Sequence, residues 1–261
     1  MTQEKLASDA GISINTLKKA FSKKPMLMSS CVQIANELAV TPDALILSQD
    51  PSQIPTETKD ADSMQVSIPK SMVSIDEALF YFSNNQFLEA HAALEALSEK
   101  TNDTVAMNHL AWMYQHGLGV AIDQPLAARW YCRSAELGSV NGQTNYGWML
   151  QHGLGVELDF EKARYWYELA ATGGDGLALN QLGWMYQKGV GVSRDDCMAL
   201  ELYQKSAATG NPQGLNNLAW MYHFGIGTSK NRDLAISYYR QAIEHGNKDS
   251  IQNLNVLLQI K

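Results

Sequence analysis

From residue 104 onward, apolar side chains recur at three- and four-residue spacing, stop at a Gly-x-Gly turn, then resume in a second stretch that ends at a glycine. Leu110, Met113 and Tyr114 mark the first stretch; Ala127, Trp130, Tyr131 and Ala135 mark the stripe of the second. This spacing predicts a pair of amphipathic helices with its core on those stripes. Gly117 and Gly119 supply the C-cap and a turn that needs positive φ. The unit then repeats. LAWMYQHGLGV, YGWMLQHGLGV, LGWMYQKGVGV and LAWMYHFGIGT begin at Leu110, Tyr146, Leu182 and Leu218, a step of 36 residues each time. Tyr131, Tyr167, Tyr203 and Tyr239 keep the same step, as do Ala127, Ala163, Ala199 and Ala235. Small residues at 111, 147, 183 and 219 leave room for close helix approach. One helix pair cannot bury both faces alone, so the units must stack into an α-solenoid.

The first fifty residues carry a different pattern. In TQEKLASDAGISINTLKKAF, the apolar positions Leu6, Ala7, Ala10, Ile12 and Leu17 flank Gly11, which predicts two short helices joined by a tight turn. Ser13 can cap the second of them. SSCVQIANELAVTPDALI predicts two further helices, the last opened by Thr41 with Pro42 behind it. Residues 49–73 hold three Pro and almost no periodicity, the composition of a flexible tether. The expected fold class is all-α, with a small helix-turn-helix module tethered to a solenoid.

Charge sharpens this division. The net charge is −7, yet residues 1–50 are balanced, and Lys18, Lys19, Lys23 and Lys24 cluster there without a nearby acid. All six Trp and all eleven Tyr follow residue 80. Cys31, Cys132 and Cys197 match no pairing motif, which points to a reducing cytoplasm. No uncharged apolar run is long enough for a membrane span, and MTQEKLASDAG has no signal-peptide core. An enzyme is not expected. Ser67 and Lys70 form an SxxK only within the tether, and the Gly-x-Gly turns follow helices rather than strands. His116 and His152 share a repeat column without an acidic partner, so neither a metal nor another cofactor is expected.

The repeat strings resemble the Sel-like repeat, a relative of the tetratricopeptide repeat, over residues 104–247 in four units. That resemblance implies a binding scaffold rather than a catalyst. Residues 74–103 are similar to a tetratricopeptide-style opening pair, and residues 248–261 to a closing cap helix. Residues 2–47 resemble, without gaps, the lambda-repressor/XRE helix-turn-helix family. Members carry a helix before the TQ, so the first helix of module 1–48 is expected to be missing. The resemblance makes 13–22 the recognition helix. Gln3 would contact the DNA backbone or a base edge, Ile14, Asn15, Lys18 and Lys19 would face the major groove, and Lys23 and Lys24 would meet phosphates. Asn suits adenine and Lys suits guanine and phosphate, so double-stranded DNA is an expected partner, read by a homodimer.

In the tetratricopeptide scheme, the residue after the small Ala/Gly and the one four before it face the concave groove. Here these are Trp112, Trp148, Trp184 and Trp220, preceded by Asn108, Thr144, Asn180 and Asn216; one turn further on lie Gln115, Gln151, Gln187 and His223. Indoles offer rigid apolar contact and amides can pair with an extended backbone, which predicts a peptide or protein ligand. The indoles could equally seal the joints between repeats. The expected function is a DNA-binding transcriptional regulator with a ligand-binding solenoid; the alternative is an adaptor that does not bind DNA. No membrane partner is expected.

Overall fold

The computed structural model describes residues 74–259, and among these residues every regular element is an α-helix. The chain divides into two compact units, residues 1–93 and 94–261. The candidate DNA contacts Gln3, Ile14, Asn15, Lys18, Lys19, Lys23 and Lys24, and the tether at 49–73, lie outside the described residues.

In the first unit, helix α1 (Ile75–Ser83) and the opening of α2 (Phe87–Lys100) are described. Ser74 Oγ caps α1 by accepting from the Glu77 amide at 3.2 Å. The chain then turns through Asn85, whose φ of 60° is one a side-chain amide tolerates. Phe82 and Phe87 meet edge to face across this turn at 5.9 Å.

The second unit is built on one rhythm. Helices α3 (Thr104–His116), α4 (Gln124–Glu136), α5 (Val140–His152), α6 (Phe160–Thr172), α7 (Gly176–Lys188), α8 (Asp196–Ala208), α9 (Pro212–Phe224) and α10 (Arg232–Glu244) each span 13 residues. Helix α11 (Asp249–Gln259) follows. Capping fixes these lengths. Asp103, Ser139, Asp175 and Asn211 accept from the first free amides of α3, α5, α7 and α9. Asp123, Asp159, Asp195 and Asn231 do the same for α4, α6, α8 and α10. Each first helix ends on a glycine in the left-handed region: Gly117, Gly153, Gly189 or Gly225. The loops are tied back by the amides of Asp123, Asp159, Asp195 and Asn231, which donate to carbonyls of Tyr114, Leu150, Tyr186 and Tyr222 at 2.9–3.0 Å.

Tyr131, Tyr167, Tyr203 and Tyr239 are fully buried, and each ring contributes about 2–3 kcal/mol through burial. The small-residue column lets the paired helices close on these rings. A Cβ at Gly147 or Gly183 would stand 2.9 or 2.7 Å from the Tyr167 or Tyr203 ring. Each second helix packs on its own first helix and on the first helix of the next repeat; α3 with α5, α7 with α9, and α9 with α11 also touch directly. Here a second glycine is indispensable. Gly155 has φ +68°, and a Cβ there would lie 2.2 Å from the Gln124 backbone, so its loop sits directly against the start of the preceding α4. Some positions read as core, Tyr114 among them, are more open. Trp130 is half-buried, with the Arg133 guanidinium 5.5 Å from its ring centre. Tyr146 is also half-buried, because it lies between Cys132 and the edge of Trp166 rather than inside a repeat.

Candidate binding surface

Because the first helices are equal in length and capped alike, residues 36 apart in sequence occupy equivalent places on them. This brings Trp112, Trp148, Trp184 and Trp220 onto one face of α3, α5, α7 and α9. Each indole is half-buried and packs against the aliphatic and tyrosine core behind it. Three of them also lie against the ring one turn on. Trp112 lies 4.3 Å from His116, Trp148 4.7 Å from His152, and Trp220 4.9 Å from Phe224, measured between ring centres. In the third repeat that position holds Lys188. The Trp column therefore contributes to repeat packing and keeps part of its surface accessible.

The polar rows beside it are largely occupied. Asn108 Nδ2 donates to Ser139 Oγ at 3.0 Å, and the Thr144 hydroxyl donates to Asp175. Asn180 Oδ1 accepts from Asn217 Nδ2 at 2.8 Å, while Asn216 Oδ1 accepts from Ser250 Oγ at 2.8 Å and Asn253 Nδ2 at 3.0 Å. This row bolts each repeat to the next. The Gln column turns inward: Gln115 and Gln187 accept from the buried Tyr131 and Tyr203 hydroxyls, each at 3.1 Å. Gln151 is buried, and its Oε1 makes no such bond. His223 replaces glutamine in the fourth repeat, with its ring set edge-on to Tyr239. Partial burial, then the nearby Lys230 and Arg232, hold its pKa below the ordinary imidazole value.

Residues not singled out as ligand contacts in the sequence complete the accessible part of this face. His116, His152, Lys188 and Phe224 are exposed at the helix ends, and Val105 and Leu177, each 40% exposed, lie in the first turns. The signal was available: each of the first four stands four residues beyond a Trp, one turn along the same face. Elsewhere, burial raises the Cys132 thiol pKa and the adjacent Glu136 opposes ionisation, which disfavours the thiolate a nucleophile needs. Cys197 is exposed and unpaired. No described helix is long and apolar enough to cross a membrane.

The model of one family, the Sel1 repeat, matches residues 104–139, 140–175, 176–211 and 212–247, together more than half of the chain. The chain belongs to the Sel1 repeat family. The matched boundaries fall at the N-caps of α3, α5, α7 and α9, so each Sel1 repeat is one capped helix pair. The solenoid is similar to the crystal structure of a protective antigen present in uropathogenic Escherichia coli that displays this fold. Identity to it is 33%, coverage is 70% of this chain and 40% of that one, and the TM-score is 0.63. This chain therefore spans well under half the length of that antigen. A Sel1 repeat protein from Oxalobacter formigenes is 28% identical, with 70% and 74% of the two chains covered and a TM-score of 0.64. No curated protein matches the chain.

Proposed function

We propose that this Sel1 repeat chain is a scaffold that holds a protein partner on the first-helix face of its solenoid. One observation carries the reading: four indoles stand at equivalent places on four successive first helices, and each keeps part of its surface accessible. Partly exposed Trp is a strong source of binding energy, because a rigid apolar ring loses little entropy when covered. Gln115, Gln187 and the interlocked asparagines are engaged inside the solenoid, so the proposed contacts are the rings rather than the amide rows. Trp112, Trp148, Trp184 and Trp220 are therefore the contacts proposed, with the exposed residues four positions on. The unpaired Cys132 and Cys197 are consistent with work in a reducing cytoplasm.

The test is site-specific photo-crosslinking in cells. A photoreactive residue at 148 or 184 is expected to give discrete protein adducts, whereas one at the exposed Arg129 of α4 should not. Equal labelling from all three sites would remove the proposal. A second reading, a transcription regulator that binds DNA as a homodimer through residues 1–48, rests on the ungapped helix-turn-helix resemblance and the Lys18–Lys24 cluster. An electrophoretic shift that disappears on Asn15→Ala and flattens in salt dependence on Lys23→Ala/Lys24→Ala would support it. Without a shift, the adaptor reading stands alone.

A further inference from the structure

We infer that the segment held on the first-helix face is extended and acidic, with an apolar side chain placed at the fourth repeat. The inference rests on the scaffold reading above and adds the chemistry of the partner. It begins from a segregation of charge. The protein carries a net charge of −7, yet α3, α5, α7 and α9 contain no Asp or Glu. The partner helices α4, α6, α8 and α10, of the same length, contain seven. Helix electrostatics do not explain the difference. The N-terminal turn of any helix favours an acid, and α6, α8 and α10 follow that rule with Glu161, Asp196 and Asp233. The first helices omit it. Their carboxylates appear only at the caps, where Asp103 accepts from the Val105 and Ala106 amides, and Asp175 from the Leu177 amide and the Thr144 hydroxyl.

What the face does carry is one ammonium and two imidazoles. His116, His152 and Lys188 stand exposed, one per repeat, each four residues beyond a Trp. His116 Nδ1 lies 3.0 Å from the Trp112 carbonyl, so Nδ1 is the protonated nitrogen and Nε2 is the atom left to meet a ligand. At the fourth repeat the character changes. Phe224 is 46% exposed, stacks with His223 at 4.2 Å and meets the tilted Trp220 ring at 4.9 Å, forming an aromatic cluster. Lys230 and Arg232 lie close enough to His223 to lower its pKa, so the field there is positive as well. A basic segment would meet repulsion along this row, and a neutral one would leave Lys188 without a partner. An acidic segment with an apolar anchor matches both ends.

The experiment is selection of random 12-residue peptides displayed on phage against the full chain, followed by binding of the selected sequences as synthetic peptides. Enrichment of Asp and Glu with one Phe, Trp or Leu is expected. Lys188→Glu should weaken such peptides about five- to tenfold, the swing from one attractive to one repulsive exposed pair. His116→Gln with His152→Gln should weaken them further, and Phe224→Ser should relax the preference for the apolar residue. Selected peptides that are neutral or basic, yet lost on Trp148→Ala, would overturn the acidic partner and leave the scaffold reading standing. Acidic peptides indifferent to Lys188→Glu and the His changes would also overturn it. If no peptide is selected, or none responds to Trp148→Ala and Trp184→Ala, both readings fall.

Discussion

Replacing each buried tyrosine of the repeat column by phenylalanine deletes one oxygen atom at four equivalent places, yet the structure predicts unequal costs. The Tyr131 hydroxyl donates to Gln115 and the Tyr203 hydroxyl to Gln187, each at 3.1 Å. Removing either loses about 1 kcal/mol of net hydrogen bonding, and the stranded glutamine carbonyl adds up to about 1 kcal/mol because it is only half-buried. Tyr239 faces the ring of His223, and its hydroxyl has no protein partner although the residue is fully buried. Tyr239→Phe should therefore be neutral or stabilising by up to about 1 kcal/mol. The spread across one column is then about 2 kcal/mol, or about 4–8 °C in Tm for a chain of this size. Calorimetry of Tyr131→Phe, Tyr203→Phe and Tyr239→Phe measures it. A double-mutant cycle of Tyr131→Phe with Gln115→Ala isolates a coupling of about 0.5–1.5 kcal/mol. Equal costs at all three sites, or the largest at Tyr239, would refute the reasoning.

Three further outcomes follow from the same geometry. Gly155→Ala forces a Cβ to within 2.2 Å of the Gln124 backbone, whereas Gly174→Ala, also at positive φ, meets open space; chemical denaturation should show Gly174→Ala costing about 1–2 kcal/mol and Gly155→Ala about 1–3 kcal/mol more. Asp175→Ala removes both a helix cap and the acceptor of the Thr144 hydroxyl, while Asp123→Ala removes only a cap; by the same assay the first should cost about 2 kcal/mol and the second about 1. In alkali, Tyr146 and Tyr239 should ionise late, since burial first, and Cys132 and Glu136 next for Tyr146, push both phenols from 10.0 up to about 12. The folded state holds these protons more tightly than the unfolded chain, so their contribution to stability is complete below pH 10 and is lost as pH rises toward 12. Absorbance titration alongside unfolding midpoints checks this window.

The helix pairs, their caps and the tyrosine column were legible because they recur four times at a fixed step, and repetition separates a structural constraint from chance. Side-chain partners were not. Asn108 and Thr144 reach the cap residue 31 positions on, whereas Asn180 and Asn216 reach residues 37 positions on. A period of 36 carries no information about which of these a side chain selects. The glutamines looked ready for a ligand because their column is polar; the tyrosine hydroxyls that donate to Gln115 and Gln187 are 16 residues away on another helix. Tyr146 stands in a Leu column, yet half-burial beside Cys132 and Trp166 gives it an environment its column mates do not share. The rings beside His116 and His152 were overlooked because each pair lies within one helix, where the imidazoles had been weighed only as metal ligands.

Near-identical units laid end to end face a hazard of their own: a repeat could dock on the wrong neighbour and leave the chain trapped out of sequence. The joints of this solenoid discriminate against that error. Ser134 at the end of the first repeat sits where Gly142 leaves it room, since a Cβ there would lie 2.7 Å from the serine oxygen; Ser206 and Gly214 are matched in the same way. Between them, Ala170 and Ala178 share one cluster without a hydroxyl. Joining Ser134 to the Ala178 helix would bring a methyl group into the hydroxyl, and joining Ala170 to the Gly214 helix would open a void. Adjacent joints thus carry unlike pegs and sockets, and exchanging neighbouring repeats should yield a chain that keeps its helices while losing a single cooperative melt.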